Sequence, residues 1–381
     1  MKTWDCRRCV AILSLLLCAI ASVSLARDQA IDWQWARELH RRELQGQTLS
    51  SDERTYLERA RQERRRQAVA GITAQGKETT GMVPVTEMGE SEYKGQTGGL
   101  YGGGQNTPPE SHLQAAKDQT SLIQPLDPNG APSATGKIVL ISLGMSNTTQ
   151  EFSTFKKLAD ADPNKSPHLA IVDCAQGGQA AYQWAHPSED AKKPSPWPVM
   201  DERIRRAGVT AAQVQVVWLK QADISPAQYG EFPAHAHVLR DNIAVILRQL
   251  KMRLPNLRIT YLSSRIYAGY ATTALNPEPY AYESAFSVRW LIEAQINNDP
   301  NLNYDTAKGP VAAPLLLWGP YLWADGTTPR QSDHMVWLRE DLGPDGTHPS
   351  ASGRQKVAQM LLDFFKTDLN TRQWFLRPVS R

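Results

Sequence analysis

The sequence predicts an α/β protein built on a parallel sheet that is buried between helices. Five short runs of almost unbroken apolar residues follow one another after Lys137, and amphipathic stretches of helical length lie between them. Apolar runs of this kind are typical of strands that are buried on both faces. Strands that alternate with helices favour a parallel sheet with right-handed crossovers.

The predicted strands cover 137–143, 168–174, 213–219, 257–262 and 313–318. The predicted helices, chosen by their apolar periodicity, lie near 149–161, 234–253, 280–297 and 350–366. In open sheets of this class, ligands bind beyond the carboxyl ends of the strands. We therefore expect the functional residues just after the strands.

Composition excludes several other classes of protein. The chain has 381 residues, 41% hydrophobic and 21% charged, with 42 Lys+Arg against 39 Asp+Glu and a formal net charge of +3. These values are ordinary for a globular protein. They exclude a wholly disordered chain, a small disulfide scaffold and a protein that binds nucleic acid through bulk charge. The length predicts about two domains.

Residues 1–26 resemble a secretory signal peptide, with a basic start, the apolar stretch 10–23 and small residues at Ser24 and Ala26. The protein is then expected to be exported, to the periplasm or the extracellular space. The alternative is a retained N-terminal anchor, although the apolar stretch is short for a membrane span. Of the four cysteines only Cys174 follows this segment, which excludes an internal disulfide and a multi-cysteine metal site in the mature chain.

Residues 27–70 predict a pair of helices. Asp32 can cap the first, which runs to Leu44, and Ser50 with Glu53 has the capping-box spacing for the second. The second helix is rich in arginine with interleaved glutamate. This pattern fits a solvated helix face, and it also fits association with an anionic partner of the cell envelope, such as a lipid headgroup or an acidic polysaccharide.

Residues 71–136 are rich in Gly, Pro, Thr and Gln and show no periodicity. Their glycine cluster at 98–104 is not a phosphate-binding loop, because no strand precedes it and no Lys-Ser/Thr pair follows. The segment is predicted to be either a flexible linker or a loop that covers the domain at 137–381.

The end of the first predicted strand carries a candidate nucleophile, Ser146, where a helix is about to begin. The free N–H groups and dipole of a helix N-terminus stabilise negative charge, so an oxyanion formed by attack of Ser146 is favoured there. The alternative is an ordinary helix-capping serine.

A serine nucleophile needs a base, and His348 precedes the last helix, three residues after Asp345. Asp345 can orient the imidazole and stabilise its protonated form. Gly178 follows the second strand and Gln221 the third. The backbone N–H groups of Ser146 and Gly178 and the Gln221 amide are therefore candidate oxyanion donors.

Further residues near the strand ends are candidates for substrate contacts. Tyr321 and Trp323 follow the fifth strand and could form an apolar wall, although core packing explains them equally well. Arg265 follows the fourth strand and could bind a substrate carboxylate, with a surface ion pair as the alternative. Cys174 is expected to be a buried, inert thiol.

With these motifs the stretch 137–367 resembles the SGNH (GDSL-like) hydrolase superfamily. The segment 144–147, Gly-Met-Ser-Asn, is similar to the Gly-Gln-Ser-Asn version found in sialate O-acetylesterases and related carbohydrate acetylesterases. Gly178 matches the glycine of the oxyanion hole, and Asp345 and His348 match the Asp-x-x-His block. The resemblance implies a five-stranded flavodoxin-like sheet and a serine esterase that removes an acyl group, in particular an O-acetyl group, from a carbohydrate.

The third family block differs. The family carries Gly-x-Asn-Asp or Trp-x-Gln-Gly-Glu there, whereas this chain has Lys-Gln-Ala-Asp at 220–223, with Ala222 in place of the asparagine. A missing oxyanion donor costs about 2.7–4 kcal/mol of transition-state stabilisation. The alternative function is therefore a non-catalytic protein that binds carbohydrate or envelope on the same fold. Neither function calls for a metal, an organic cofactor or nucleic acid.

Overall fold

The computed structural model describes residues 31–44, 47–71, 76–188 and 195–378. The predicted signal peptide lies outside the described residues. The chain divides between Arg64 and Arg65 into two compact units, an N-terminal helical unit and a much larger sheet unit. Among the described residues, no helix combines the length and the apolar character that crossing a bilayer requires.

The N-terminal unit is built on helix α1 (Trp33–Leu44) and the start of helix α2 (Ser51–Gly71). Asp32 Oδ1 accepts hydrogen bonds from two N–H groups in the first turn of α1. Ser50 and Glu53 exchange the two hydrogen bonds of a capping box, at 2.8 and 3.2 Å. The predicted caps are thus the ones that form.

Some of the charged side chains of α2 form ion pairs inside the helical unit. Arg61 is buried, and its guanidinium donates to Glu43 at 2.5 Å and to Glu58 at 2.8 Å. Although burial raises the pKa of Glu43, its bonds to His40 and Arg61 outweigh burial and lower the pKa to about 2. Arg61 is therefore a structural member of the unit rather than part of a solvated cationic face.

The sheet unit contains five parallel strands, β3 (Ile138–Gly144), β4 (Leu169–Val172), β5 (Val214–Lys220), β6 (Ile259–Leu262) and β7 (Leu315–Trp318). Their spatial order is β4-β3-β5-β6-β7, which is the flavodoxin-like order. Every residue of β3, β5, β6 and β7 is buried, which explains their continuous apolar runs. The predicted fold class is confirmed.

The helices of the sheet unit follow the predicted alternation with the strands. They are α4 (Ser146–Ala161), α5 (Ala181–Ala185), α6 (Trp197–Arg206), α7 (Ala234–Arg253), α8 (Tyr280–Ile296), α9 (Ala351–Thr367) and α10 (Arg372–Phe375). Helix α4 packs on α9, and α7 packs on α5 and α8. One continuous apolar core joins these helices to the sheet.

Several element boundaries differ from the prediction, and two of them lie at the carboxyl edge of the sheet. Helix α4 begins at Ser146, three residues earlier than expected. Strand β4 ends at Val172 rather than at Cys174. There the hydroxyl of Ser142 accepts the N–H groups of Cys174 and Ala175 at 3.0 and 3.1 Å, so these groups leave the β-ladder.

The described part of the Gly- and Pro-rich segment, 76–136, lies on the sheet unit as a cover. It contains a two-stranded hairpin, β1 (Glu92–Tyr93) and β2 (Gln96–Thr97), and helix α3 (Glu110–Ser121). Val85 and Met88 belong to the common core. The hairpin is tied to α8, where Glu283 accepts hydrogen bonds from Tyr93 at 2.7 Å and Lys94 at 2.9 Å.

The turn from β3 into α4 depends on Gly144. A Cβ there would lie 2.3 Å from the carbonyl oxygen of Lys220 and 2.3 Å from Oγ1 of Thr148, so Gly144→Ala would force β3 and β5 apart. We expect it to lower the free energy of unfolding by about 1–3 kcal/mol in urea titrations. Gly177→Ala is the matched control, since its Cβ has only Ser146 Cβ nearby, at 3.9 Å. Equal stability of the two variants would contradict this account.

Candidate active site

Ser146 and His348 meet at the carboxyl edge of the sheet. Ser146 is the first residue of α4, directly after β3 and the extended residue Met145. Its Oγ lies 2.7 Å from Nε2 of His348, although 202 positions separate the two residues in the chain. Both side chains are partly exposed. A substrate can therefore reach the hydrogen-bonded pair from solvent.

Asp345 completes a line of three hydrogen-bonded groups. Its Oδ2 lies 2.5 Å from Nδ1 of His348, and its Oδ1 accepts the backbone N–H groups of Thr347 and His348, both at 3.1 Å. An ionised carboxylate only accepts hydrogen bonds, so the Nδ1 atom carries the proton. The lone pair of Nε2 then faces Ser146 Oγ, as a general base requires.

The environment of Asp345 favours its ionised form. Burial raises the pKa of this carboxyl, but the hydrogen bonds from the His348 ring and from the backbone of His348 and Thr347 outweigh burial. The net effect is a pKa below the usual value for aspartate. Asp345 therefore remains an anion that can stabilise a protonated imidazole.

The turn that carries Asp345 and His348 is held by neighbouring backbone. Gly346 has a φ of +64°, and a Cβ there would lie 1.8 Å from the carbonyl oxygen of Tyr270. The N–H of Thr272 donates to the carbonyl of Asp345 at 3.0 Å. The loop after β6 thus fixes the turn from one side, and only glycine fits at its closest approach.

Asn147 joins the nucleophile turn directly to the histidine turn. Its amide is buried and donates to the carbonyl oxygen of Thr347 at 2.9 Å. Asn147 belongs to the nucleophile motif, but the motif alone does not predict a role for it. A residue that faces a turn 200 positions away gives no local signal in the sequence.

The Gly177–Gly178 turn borders the nucleophile. Gly178 is exposed, has a φ of +77°, and has no atom within 4 Å of the position a Cβ would take. Within the described chain, no hydrogen bond engages the N–H of Gly178 or of Ser146. Both N–H groups are therefore available to an oxyanion beside Ser146.

The contacts of Gln221 do not support the predicted donor role. This side chain is buried, and its amide nitrogen donates to the carbonyl of Gln179 at 3.5 Å. Its amide oxygen accepts from the N–H of Ala222 at 3.3 Å. Gln221 follows β5 as predicted, but its amide is directed at backbone and supports the glycine turn.

The predicted apolar wall of Tyr321 and Trp323 is wrong, and the core-packing alternative holds. Trp323 is fully buried and donates to Glu278 at 2.8 Å, while the buried Tyr321 hydroxyl accepts the N–H of Val85 at 3.2 Å. The covering segment, which contains Val85, lies over this part of the strand edge. Neither ring is available as a substrate wall.

Arg265 is likewise buried, 3% exposed, so both its predicted contact with a substrate carboxylate and the surface ion pair are wrong. Burial lowers the pKa of its guanidinium, against the attraction of Glu151, Glu278 and Asp345. Lys220 at the end of β5 and Glu151 in α4 form a buried charge pair. No local pattern in the sequence predicts this pair, because the two residues are 69 positions apart.

The remaining predictions concern the thiol and metals. Cys174 is fully buried, and burial raises its pKa, which agrees with an inert thiol. Within the described ranges, no group of three or more His, Cys, Asp or Glu side chains is arranged to hold a metal ion.

No protein-family model and no curated protein matches the chain. It is similar to a lipase from a goat rumen metagenome, with 14% identity, coverage of 59% of this chain and 96% of the lipase, and a TM-score of 0.35. It is also similar to a salicylyl-acyltransferase from a tetracycline biosynthetic pathway, with 13% identity, coverage of 64% and 58%, and a TM-score of 0.32.

A gut microbial diltiazem-metabolizing enzyme is a third similar structure, with 12% identity, coverage of 62% of this chain and 48% of the enzyme, and a TM-score of 0.31. This chain spans about half of the length of that enzyme. Likeness at this level does not carry the activities of these proteins to this chain.

The hydrogen bonds of Asp345 predict a pH-dependent contribution to stability. Because the folded pKa lies below the unfolded value, the carboxylate stabilises the fold above the unfolded pKa, about 3.9, and this stabilisation is lost as the pH falls through the folded pKa. We expect Asp345→Asn to lower the free energy of unfolding more at pH 6 than at pH 3. Urea titrations of both proteins at both pH values measure this difference, and a pH-independent loss would contradict it.

Proposed function

We propose that this chain is a serine esterase of the SGNH type. The observation that carries the proposal is the line of hydrogen bonds from Asp345 through His348 to Ser146, with distances of 2.5 and 2.7 Å. The arrangement supplies a nucleophile, a base with its lone pair towards the nucleophile, and an anion that orients the base. The nucleophile motif Gly-Met-Ser-Asn supports the same family assignment.

In the proposed mechanism, Ser146 Oγ attacks the ester carbonyl while His348 Nε2 takes the hydroxyl proton. The N–H groups of Ser146 and Gly178 stabilise the oxyanion, and Asp345 stabilises the imidazolium. The carbon–oxygen bond to the alcohol then breaks, and His348 returns the proton to the alcohol. His348 next deprotonates a water molecule, which attacks the acyl-serine. The bond between the acyl carbon and Ser146 Oγ then breaks, His348 returns the proton to Ser146, and the acid is released.

The substrate we propose is an acyl ester of a carbohydrate, in particular an O-acetyl group. The resemblance to the carbohydrate acetylesterases supports this choice, and so does the exposed glycine turn beside Ser146, which leaves space for a bulky alcohol. We further propose that the protein is exported and acts in the periplasm or outside the cell. Association of the N-terminal helices with the envelope remains part of this proposal.

A second candidate is a non-catalytic protein that binds carbohydrate or envelope on the same fold. The observation that favours it is the third block, where Ala222 replaces the family asparagine and the Gln221 amide is directed at backbone. Two backbone donors would then have to stabilise the oxyanion without a side-chain amide. The two candidates differ in whether Ser146 reacts.

A fluorophosphonate probe distinguishes these candidates. We expect the full-length protein to be labelled, because His348 activates Ser146, and we expect Ser146→Ala and His348→Ala to lose the labelling and the hydrolysis of short-chain aryl acetates. Loss of the triad typically removes several orders of magnitude of rate, on the order of 10⁴ or more. Ser153→Ala, which removes a hydroxyl bonded to Asp173, is the matched control. Equal hydrolysis by wild type and His348→Ala would contradict the mechanism.

Asn147 is predicted to be a positioning residue. Asn147→Ala removes the hydrogen bond that joins the serine turn to Thr347, so the Ser146–His348 distance becomes less well defined. We expect kcat for an aryl acetate to fall about tenfold or more with little change in KM, because alignment rather than binding is lost. A merely structural role would lower the amount of folded protein and leave the kcat per active site, counted by fluorophosphonate titration, unchanged.

A further inference from the structure

The sheet unit has a cavity of about 300 Å³ between two segments that are far apart in the sequence. One wall is formed by residues 76–82, which we name the strap. The other wall is formed by residues 268–279, which we name the β6 loop because it follows strand β6. The lining includes Lys77, Thr80, Met82, Ala271 and Glu278.

The cavity lies next to the turn that carries Asp345 and His348. Within the β6 loop, the carbonyl of Tyr270 contacts Gly346, and the N–H of Thr272 donates to Asp345 at 3.0 Å. Ala271, the residue between them, lines the cavity. The same short stretch of backbone therefore supports the candidate active site and forms part of the cavity wall.

Hydrogen bonds from both ends hold the strap in place. The N–H groups of Thr80 and Gly81 donate to Asp325 at 2.7 and 2.8 Å, and the N–H of Lys77 donates to the carbonyl of Gly269 at 2.7 Å. The hydroxyl of Tyr267 donates to the carbonyl of Lys77, also at 2.7 Å. Because both walls are already ordered, a ligand loses little affinity to loop ordering when it binds.

Glu278 gives the cavity its most specific chemistry. Its Oε1 accepts hydrogen bonds from the N–H of Ala268 at 2.9 Å and from Trp323 at 2.8 Å, and its Oε2 accepts the N–H of Tyr282 at 2.9 Å. A carboxylate offers about four acceptor positions, so one position on Oε2 has no partner within the described residues. A ligand that donates one hydrogen bond would satisfy it.

The protonation of Glu278 also suits a hydroxyl partner. Burial raises the pKa of this carboxyl to about 7, against the opposing effect of the hydrogen bonds from Trp323, Ala268 and Tyr282. Near neutral pH the group is present in both forms, so it can accept a hydrogen bond from a hydroxyl or donate one to it. The mechanism proposed for Ser146 and His348 makes no use of this residue.

We infer that this cavity is a subsite for one sugar ring of the substrate, with a ring hydroxyl hydrogen-bonded to Glu278. A volume near 300 Å³ is at the small end for ligand sites, which suits one ring. Lys77 and Glu278 favour a hydroxyl-rich ligand over a long acyl chain, while the Thr80 hydroxyl is bonded to Asp325 and to the N–H of Met82. This inference rests on the proposed esterase function. It adds that the cavity selects substrates whose alcohol is a sugar.

The test compares two substrates in three full-length proteins. Met82→Trp reduces the space in the cavity, and Val83→Trp is the matched control, because Val83 is the adjacent residue, is 49% exposed and does not line the cavity. The substrates are 4-nitrophenyl acetate, which carries no sugar, and a panel of O-acetylated tetrasaccharides of xylose, glucose and N-acetylglucosamine. The measured quantity is the ratio of kcat/KM for the best tetrasaccharide to kcat/KM for the aryl acetate.

We expect this ratio to fall about tenfold or more in Met82→Trp, and a tenfold fall corresponds to about 1.4 kcal/mol. In Val83→Trp we expect the ratio to stay within about twofold of wild type. An unchanged ratio in Met82→Trp, with both substrates still hydrolysed, would overturn the proposed subsite and leave the esterase function intact.

If wild type hydrolyses neither substrate, the proposed function fails. Titration calorimetry with the unacetylated tetrasaccharides then tests whether the cavity binds a sugar ring. Binding that is lost in Met82→Trp alone supports the subsite, and absence of binding to wild type overturns it.

Discussion

The parallel direction of the five sheet strands is the constraint on which the candidate site depends. Because every strand points the same way, the turns after β3, β4 and β5 and the loop after β6 all emerge at one edge. Ser146, the Gly177–Gly178 turn and the Gln221 amide are brought together there, although the chain separates them by tens of residues. The Asp345–His348 turn then joins this edge through the hydrogen bond from His348 to Ser146.

In the proposed mechanism, electrostatics at this edge favour attack by Ser146. Asp345 is held as an anion by hydrogen bonds, which fixes the imidazole proton on Nδ1 and leaves Nε2 as a base. In the proposed mechanism, the N–H groups of Ser146 and Gly178 stabilise the negative charge that develops on the ester carbonyl oxygen. Because Ala222 stands where the family that this chain resembles carries an asparagine, these two backbone groups would be the main oxyanion donors.

The sheet and its strand ends could be predicted because burial on both faces leaves a strong local signal. The apolar runs at 137–143 and 168–174 identify strands, and the turn residues that follow them identify Ser146 and Gly178 as candidates. The sequence is not informative where burial depends on distant segments. Trp323 and Arg265 follow strands, which makes each a candidate for a substrate contact, but the cover formed by 76–136 and the packing of α8 enclose that part of the edge.

The same limit applies to residues that connect turns. Neither the bond from Asn147 to Thr347 nor the position of Gln221 can be deduced from spacing, because each depends on how two loops meet in three dimensions. The strap is a further segment whose position in the fold depends on contacts with distant residues. A stretch without periodicity gives no hint of its place in the fold, yet Thr80 and Gly81 fix it to Asp325 and make it one wall of a cavity beside the histidine turn.

The central claim is that Ser146 forms a covalent acyl intermediate during ester hydrolysis. The most direct measurement is peptide mass spectrometry of the full-length protein, quenched in acid while it turns over 4-nitrophenyl acetate. The account predicts one acetyl group per chain, located on the peptide that contains Ser146 and assigned by fragmentation to that residue. Continued turnover with the acetyl group on a different residue, or with no acetylated protein at any quench time, would contradict the account.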